Sequence, residues 1–160
     1  TQKCEEGQTL DIEIPSMMKE TPAEAIEKVE LSEGSEHIIK MLNSGEGGQM
    51  IFEPAVIKVS VGDTIHFKAT DAAHNSVSVD GMLPAGAVSW ASQLSQDISV
   101  TLDTEGVYVY QCDPHLIMAM VGVIQVGEAV NMDEIRSAAS SYSANFLMNN
   151  DRLQSYLNQL

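Results

Sequence analysis

The stretch VYVYQCDPHLIMAMVGVIQV, at positions 107–126, contains two apolar runs separated by a short loop. The runs Val107–Cys112 and Val121–Val126 are rich in β-branched and aromatic residues and have the length of buried strands. They predict two neighbouring strands joined by a hairpin-like loop. Pro114 stiffens the turn that presents His115, because its ring fixes one backbone angle.

Further short runs with the same β-type composition precede this stretch. They are His37–Leu42, Val56–Ser60, Thr64–Ala69, Ser76–Val79 and Ile98–Leu102. Turn signals separate them: Asn43-Ser44-Gly45-Glu46-Gly47-Gly48, Val61-Gly62-Asp63 and Asp80-Gly81. Short strands at this spacing predict an antiparallel sandwich or barrel rather than a parallel α/β sheet.

The two ends of the chain differ from this β-rich centre. Asn131 is a candidate N-cap for a helix to about Ser140, and a second helix is predicted from about Ala144 to Asn158, carrying Phe146, Leu147, Leu153, Tyr156 and Leu157. Near the start, Thr21-Pro22-Ala23-Glu24 has the pattern of a capping box, which predicts one short helix around 22–31. We therefore expect an acidic extension at 1–35, a β-sandwich at 36–128 and a packed helical tail at 129–160.

Composition excludes several classes of function. The 160 residues carry a formal net charge of −15, which argues against nucleic-acid binding, because Lys and Arg supply most of that affinity. No apolar run approaches the ~20 residues of a membrane-spanning helix. The two cysteines, Cys4 and Cys112, cannot form a disulfide framework. No signal peptide is visible, so either the protein is cytosolic or a leader has been removed.

The loop between the two strands brings together three soft metal ligands, Cys112, His115 and Met120. A thiolate, an imidazole and a thioether suit copper better than calcium or magnesium, which prefer oxygen. His74, in a polar turn between two strands, is the best candidate for a fourth ligand, and His37 and His66 are weaker ones. A lone Cys, His or Met is usually structural, but the joint spacing C-x2-H-x4-M favours copper.

The sequence resembles the cupredoxins and, within them, the pseudoazurins, over about residues 37–160. The matching stretches are Met41–Gly45, Met50–Ala55, Lys58–Thr64, Gly81–Gly86, Gly106–Tyr108, Cys112–His115 and Met118–Val123. Plastocyanins share the spacing of the ligand loop, but Phe52-Glu53-Pro54-Ala55 and the helical tail favour pseudoazurin. The resemblance implies an all-β, cupredoxin-like Greek-key β-sandwich with two C-terminal α-helices and an N-terminal extension.

The resemblance also implies the role of individual residues. His74, Cys112 and His115 would be the near-trigonal ligands of one type 1 copper ion, and Met120 the long axial ligand. Asn75 would tie the two ligand loops together, and Met50 would pack against the ring of the exposed ligand histidine. Tyr108 would form a tyrosine corner.

The function implied is electron transfer to or from a redox partner, such as a nitrite reductase or cytochrome c, and no enzymatic activity. The partner would dock on an apolar patch near His115, formed by Met82, Pro84, Pro114, Leu116, Ile117 and Met118. Many pseudoazurins surround this patch with lysines and this chain does not. If charge steers the encounter, the partner should be basic; otherwise docking should rely on the apolar patch. A third interpretation has equal weight: the charge of −15 would only keep the protein soluble.

Several alternatives stay open at this point. A copper chaperone or storage protein would need exposed, exchangeable sites, for which Met17-Met18 is the only indication. A copper enzyme would need His-x-His pairs, and the sequence has none. Cys4 is a candidate free thiol, intermolecular disulfide or lipidation site. A periplasmic location is expected if a leader has been removed.

Overall fold

The computed structural model describes residues 27–160, which form two four-stranded sheets and a helical tail. The strands are β1 (Glu36–Gly45), β2 (Gly48–Glu53), β3 (Val56–Val59), β4 (Asp63–Lys68), β5 (Val77–Ser78), β6 (Ile98–Leu102), β7 (Gly106–Gln111) and β8 (Val121–Val126). A 3₁₀ turn, Asp113–Met118, lies between β7 and β8. This architecture confirms the predicted cupredoxin-like β-sandwich.

Both sheets are mixed rather than antiparallel. The first has the order β2-β1-β4-β6 and the second the order β3-β8-β7-β5. The pairs β1–β4 and β3–β8 are parallel, and the remaining pairs are antiparallel. The predicted sandwich is confirmed, but the expected antiparallel pairing fails for these two pairs. Their strands are distant in sequence, and turn residues give no information about such pairings.

Strand β2 was missing from the sequence prediction, which placed a turn over Asn43–Gly48. In the structure β1 continues to Gly45 and β2 begins at Gly48, and Ser44 pairs with Gln49 while Gly45 pairs with Gly48. The turn itself consists of Glu46 and Gly47. The polar, glycine-rich composition concealed the strand, since both strands are exposed where they meet the turn.

The core is divided into two layers. Between the sheets, Phe52, Phe67 and Tyr110 contact one another edge to face, with ring centroids 4.7–6.3 Å apart. A second cluster lies on the other face of β7 and β8, where the helical tail covers it. The Tyr108 hydroxyl donates to the carbonyl oxygen of Thr104 at 2.7 Å, the contact expected of a tyrosine corner. Strand β7 is therefore buried on both faces.

The tail consists of α1 (Met132–Tyr142), a 3₁₀ turn (Ser143–Asn145) and α2 (Arg152–Leu157). The first helix was predicted, but the second begins at Arg152 and not at Ala144. The chain leaves the helical conformation at Phe146, whose backbone is extended, because the next amides donate to the ligand loop instead of continuing a helix.

The N-terminal segment leads along the edge of the sandwich. The predicted helix at 22–31 lies partly outside the described residues, and residues 27–31 are not helical. The amide of Val29 donates to the carbonyl of Gln159 at 2.8 Å, and Leu31 forms an isolated bridge with Lys58. These long-range hydrogen bonds keep the backbone extended. The capping-box residues and Cys4 lie outside the described residues. Between residues 27 and 160, no helix has the length and apolar character needed to span a membrane.

Substitution of Gly122 tests how tightly β7 packs against β8. A Cβ at this position would overlap the ring and hydroxyl of Tyr110, which is fully buried. We expect Gly122→Ala to lower the free energy of unfolding by about 2 kcal/mol or more, because an overpacked core must shift. Urea unfolding of the full chain measures the change. Gly47→Ala is the control, because a Cβ there makes only ordinary contacts with Ile51; equal stability of the two variants would contradict the prediction.

Candidate metal centre

The loop after β7 is closed by its own backbone hydrogen bonds. The amide of Cys112 donates to the carbonyl of Met120 at 2.9 Å, and the amide of Met120 donates to the carbonyl of His115 at 3.2 Å. Ala119 has a left-handed backbone, which turns the chain back toward β8. Because these bonds join the two strand ends, Cys112, His115 and Met120 lie on one short, rigid loop.

Three donor atoms face one point. The Nδ1 atoms of His74 and His115 are 3.1 Å apart, and the Sγ atom of Cys112 lies 3.4 Å from Nδ1 of His115 and 3.7 Å from Nδ1 of His74. Together they form the one group of three metal-ligating side chains of the His, Cys, Asp and Glu types within residues 27–160. Met120, the candidate fourth ligand, is fully buried on the same loop. Nitrogen and sulfur donors converging in this way suit a copper ion.

Asn43 fixes the orientation of the His74 ring. The Nε2–H of His74 donates to Oδ1 of Asn43 at 2.8 Å, which leaves the lone pair of Nδ1 free to bind a metal. The backbone amide of Asn43 in turn donates to the carboxylate of Asp71 at 2.8 Å. Asn43 had been interpreted as part of a turn, and its role depends on the pairing of distant strands, which the sequence alone does not show.

Burial differs across the ligand cluster. His74, Cys112 and Met120 are buried, whereas His115 is only partly buried and lies nearest the solvent. Burial lowers the pKa of the His74 imidazole, the charge of His115 lowers it further, and Asp71 acts in the opposite direction. His74 is therefore neutral, as a ligand must be, at neutral pH. Burial also raises the pKa of the Cys112 thiol, so that a metal must displace its proton on binding.

Asn75 links the two segments that carry the ligands. Its Oδ1 accepts the backbone N–H of Asp113 at 2.8 Å, and its Nδ2 donates to the Asp113 carboxylate and to the carbonyl of Ser92, both at 3.2 Å. This is the tie between the loops that the resemblance implied. It keeps His74 at a constant distance from Cys112.

Arg152 is a second support that the sequence analysis did not identify. Its Nη1 lies 3.1 Å from the carbonyl oxygen of Met50, 3.3 Å from that of Met118 and 3.2 Å from that of Ala119. The first residue of α2 thus joins β2 to the end of the ligand loop. Its guanidinium is a fixed fork of donors that suits several carbonyl groups at once.

The two weaker histidine candidates lie away from the cluster. His37 is buried, and its Nε2 is 2.8 Å from the carboxylate of Asp63, which also accepts the amide of Ser60 at 3.0 Å. His66 lies between Ser99 and Glu36 on the exposed face of the first sheet. Both histidines bind protein groups within the first sheet.

Two residues assigned to the docking patch are not on it. Met82 is buried in the cluster beneath the helical tail, where its carbonyl accepts the amide of Val109 at 3.1 Å. Pro84 is buried against Gly106, at the end of β7 opposite Cys112. The prediction was wrong for both, because the chain after the Asp80-Gly81 turn enters the core instead of running over the ligand end.

Comparison with known proteins connects this geometry with a family. Residues 39–127 match the family described as copper binding proteins, plastocyanin/azurin family. A pseudoazurin of Paracoccus pantotrophus is 41% identical over 103 residues, which are 64% of this chain and 71% of that protein. The crystal structure of pseudoazurin from Hyphomicrobium denitrificans is 36% identical, with a TM-score of 0.70 over 78% of this chain and 98% of the other. A pseudoazurin from Methylobacterium extorquens AM1 is 42% identical, with a TM-score of 0.62 over 64% and 84% of the two chains.

Removal of the Asn43 side chain should weaken metal binding. Asn43→Ala frees the His74 ring to rotate, and loss of such an orienting partner typically costs 10–100-fold in metal affinity. Competition titration of Cu(II) against a chelator measures the loss. Asn145→Ala is the control, because the Asn145 side-chain amide donates to the carbonyl of Tyr142, within the tail. Equal affinity of the two variants would refute the orienting role.

Arg152→Met should alter the metal centre as well as stability. Three carbonyl groups lose a charged donor, which should cost about 1–3 kcal/mol and loosen the loop end next to Met120. Thermal unfolding and the visible spectrum of the copper-loaded protein measure the two effects. Arg136→Met is the matched control, since Arg136 binds Asn158 and Leu157 far from the ligand loop. It should lose stability with an unchanged spectrum, and an unchanged spectrum in Arg152→Met as well would contradict the supporting role.

Proposed function

The chain belongs to the plastocyanin/azurin family of copper-binding proteins and, within it, to the pseudoazurins, and from that premise we propose how it handles electrons. Nδ1 of His74, Sγ of Cys112, Nδ1 of His115 and the thioether of Met120 would hold a single copper ion. The observation that carries this proposal is the convergence of the first three atoms to within 4.8 Å of one another.

As a member of this family the protein is a copper-binding electron carrier and not an enzyme. Two imidazoles, a thiolate and a weak axial thioether are the ligand set of blue-copper electron-transfer sites. Catalytic metal sites, in contrast, keep a position open for water or substrate. A bound copper ion alternates between Cu(II) and Cu(I) and so carries one electron at a time.

The surrounding residues keep the ligand geometry constant between the two oxidation states. The ligand loop is closed by backbone hydrogen bonds, Asn75 ties it to the segment of His74, and Arg152 holds its far end. Such a loop changes little in shape, so that little reorganisation accompanies each transfer. The partly buried His115 is the ligand nearest the surface, and we assign it as the point of electron entry and exit.

The partner docks around His115 on the apolar surface of Pro114, Leu116, Ile117 and Met118. Pro114 and Ile117 are exposed, and Leu116 and Met118 are partly buried. The partner is a redox protein such as a nitrite reductase or a cytochrome c, and the shared compartment is the periplasm. Contacts of this kind are small, below ~1,200 Å² in total, which permits rapid release.

A copper chaperone or storage protein is the second candidate function. Such a protein must release its metal to a partner, which requires accessible ligands. Cys112, His74 and Met120 are all buried, and two loops would have to separate before the metal could leave. This burial favours the electron carrier.

Addition of Cu(II) to the apoprotein tests the proposal. We expect an intense blue or green charge-transfer band, bleached by ascorbate, with the electron paramagnetic resonance of a thiolate-bound copper. Cys112→Ala should abolish the band, because the thiolate is its source, whereas Cys4→Ala is the matched control and should keep it. A pale, weakly absorbing complex would show that no copper–thiolate bond forms and would overturn both the ligand set and the carrier function.

A further inference from the structure

The segment between the two helices of the tail places two apolar side chains beside the ligand loop. The side chain of Leu147 is 77% exposed and that of Met148 is 48% exposed. The amides of both residues donate to the carbonyl oxygen of Ile117, at 2.7 and 3.3 Å, and the Ile117 side chain is itself 50% exposed. We propose that Leu147 and Met148 form part of the docking surface for a redox partner that has an apolar centre and a basic rim. This proposal rests on the electron-carrier function above.

The two side chains are held in place by the structure around them. Phe146 is buried under the tail and packs edge to face on Tyr142, with ring centroids 5.6 Å apart. On the other side, the Asn149 side chain donates to the carbonyl of Met118 at 3.2 Å, and Arg152 binds the same carbonyl. The segment is thus fixed at both ends before any partner arrives, which lowers the entropic cost of docking.

The exposure of these side chains follows from the break between the two helices of the tail. The sequence predicted one helix from about Ala144 to Asn158 through this segment. Instead the backbone extends at Phe146, and Asn149 adopts a left-handed conformation, so that two large apolar groups face solvent next to the ligand loop. A contiguous exposed apolar patch on a protein surface commonly marks an interaction site.

The patch is continuous with the surface through which the electron passes. Ile117 lies two residues after His115 on the ligand loop, and the hydrogen bonds to its carbonyl join the tail segment directly to that loop. Leu147 and Met148 therefore widen the apolar surface of the loop on one side.

The negative charge around the ligand loop and the tail segment favours a partner whose docking surface has a basic rim. No Lys or Arg occurs in residues 107–127 or 137–151, which include the ligand loop and the tail segment. The cation that follows, Arg152, is only partly exposed, and its guanidinium binds the carbonyl oxygens of Met118 and Ala119. Exposed carboxylates border both segments, with Asp113 before Pro114 and Asp151 after Asn150. Together with the net charge of −15, these carboxylates attract a partner whose apolar centre is surrounded by Lys or Arg and repel an acidic one.

The test is the rate of electron transfer between the copper-loaded full chain and a small basic cytochrome c, measured by stopped flow. The double variant L147N/M148Q should react about tenfold more slowly, with the same visible spectrum, reduction potential and rate of reduction by ascorbate. V130N is the matched control, because Val130 is 65% exposed and lies next to Asn131, which binds the amide of Val107 at the end of β7 away from Cys112. It should react at the unmodified rate. D151N, which keeps a side chain suited to the helix start, should weaken the dependence of the rate on salt.

Three results would overturn the inference. An unchanged rate in L147N/M148Q would remove both residues from the docking surface. An equal loss in V130N would show that any exposed apolar side chain replaced by an amide slows the reaction, wherever it lies. A dimer of this chain that L147N/M148Q dissociates, seen by sedimentation, would assign the patch to a second copy instead of a partner. Each differs from failure of the carrier function itself, in which the unmodified protein would show no charge-transfer band and no reaction with the cytochrome.

Discussion

The fold must hold three electron-rich atoms close together in a place that water reaches poorly. Two imidazole nitrogens 3.1 Å apart, with a buried sulfur 3.4 and 3.7 Å away, bring several lone pairs together, and one shared metal cation can satisfy all three atoms at once. The protein must therefore supply the geometry from contacts outside the cluster. Asn43, Asn75 and Arg152 provide those contacts, and each comes from a different part of the chain.

The sandwich explains why these contacts are rigid. The strand that leads into Cys112 is buried on both faces, by aromatic rings on one side and by the helical tail on the other. Gly122, on the neighbouring strand, leaves room for the ring of Tyr110 and so allows the two strands to lie close together. A displacement of the ligand loop would have to disturb both core layers, and closely packed interiors resist such changes.

The sequence predicted the parts of this structure that depend on local pattern. The spacing of Cys112, His115 and Met120 is local, and the alternation of strands and turns located most of the sheet. Strand β2, Asn43 and Arg152 could not be predicted in the same way, because each acquires its role from a partner that is distant in sequence. In the tail, by contrast, the sequence predicted more helix than the structure has. The pattern indicated a helix through residues 144–158, but the amides of Leu147 and Met148 donate to the carbonyl of Ile117 instead.

Charged and apolar residues on the surface serve two different steps of electron transfer, the encounter with a partner and the contact that follows it. Charge acts over about a Debye length and determines how often partners meet, whereas apolar contact acts only after they touch and determines orientation and lifetime. In this chain acidic residues occur along the whole sequence, while the ligand loop and the tail segment bonded to it bring the exposed side chains of Ile117, Leu147 and Met148 close together. A transient carrier benefits from this division, because long-range attraction speeds encounter without adding buried ion pairs that would slow release.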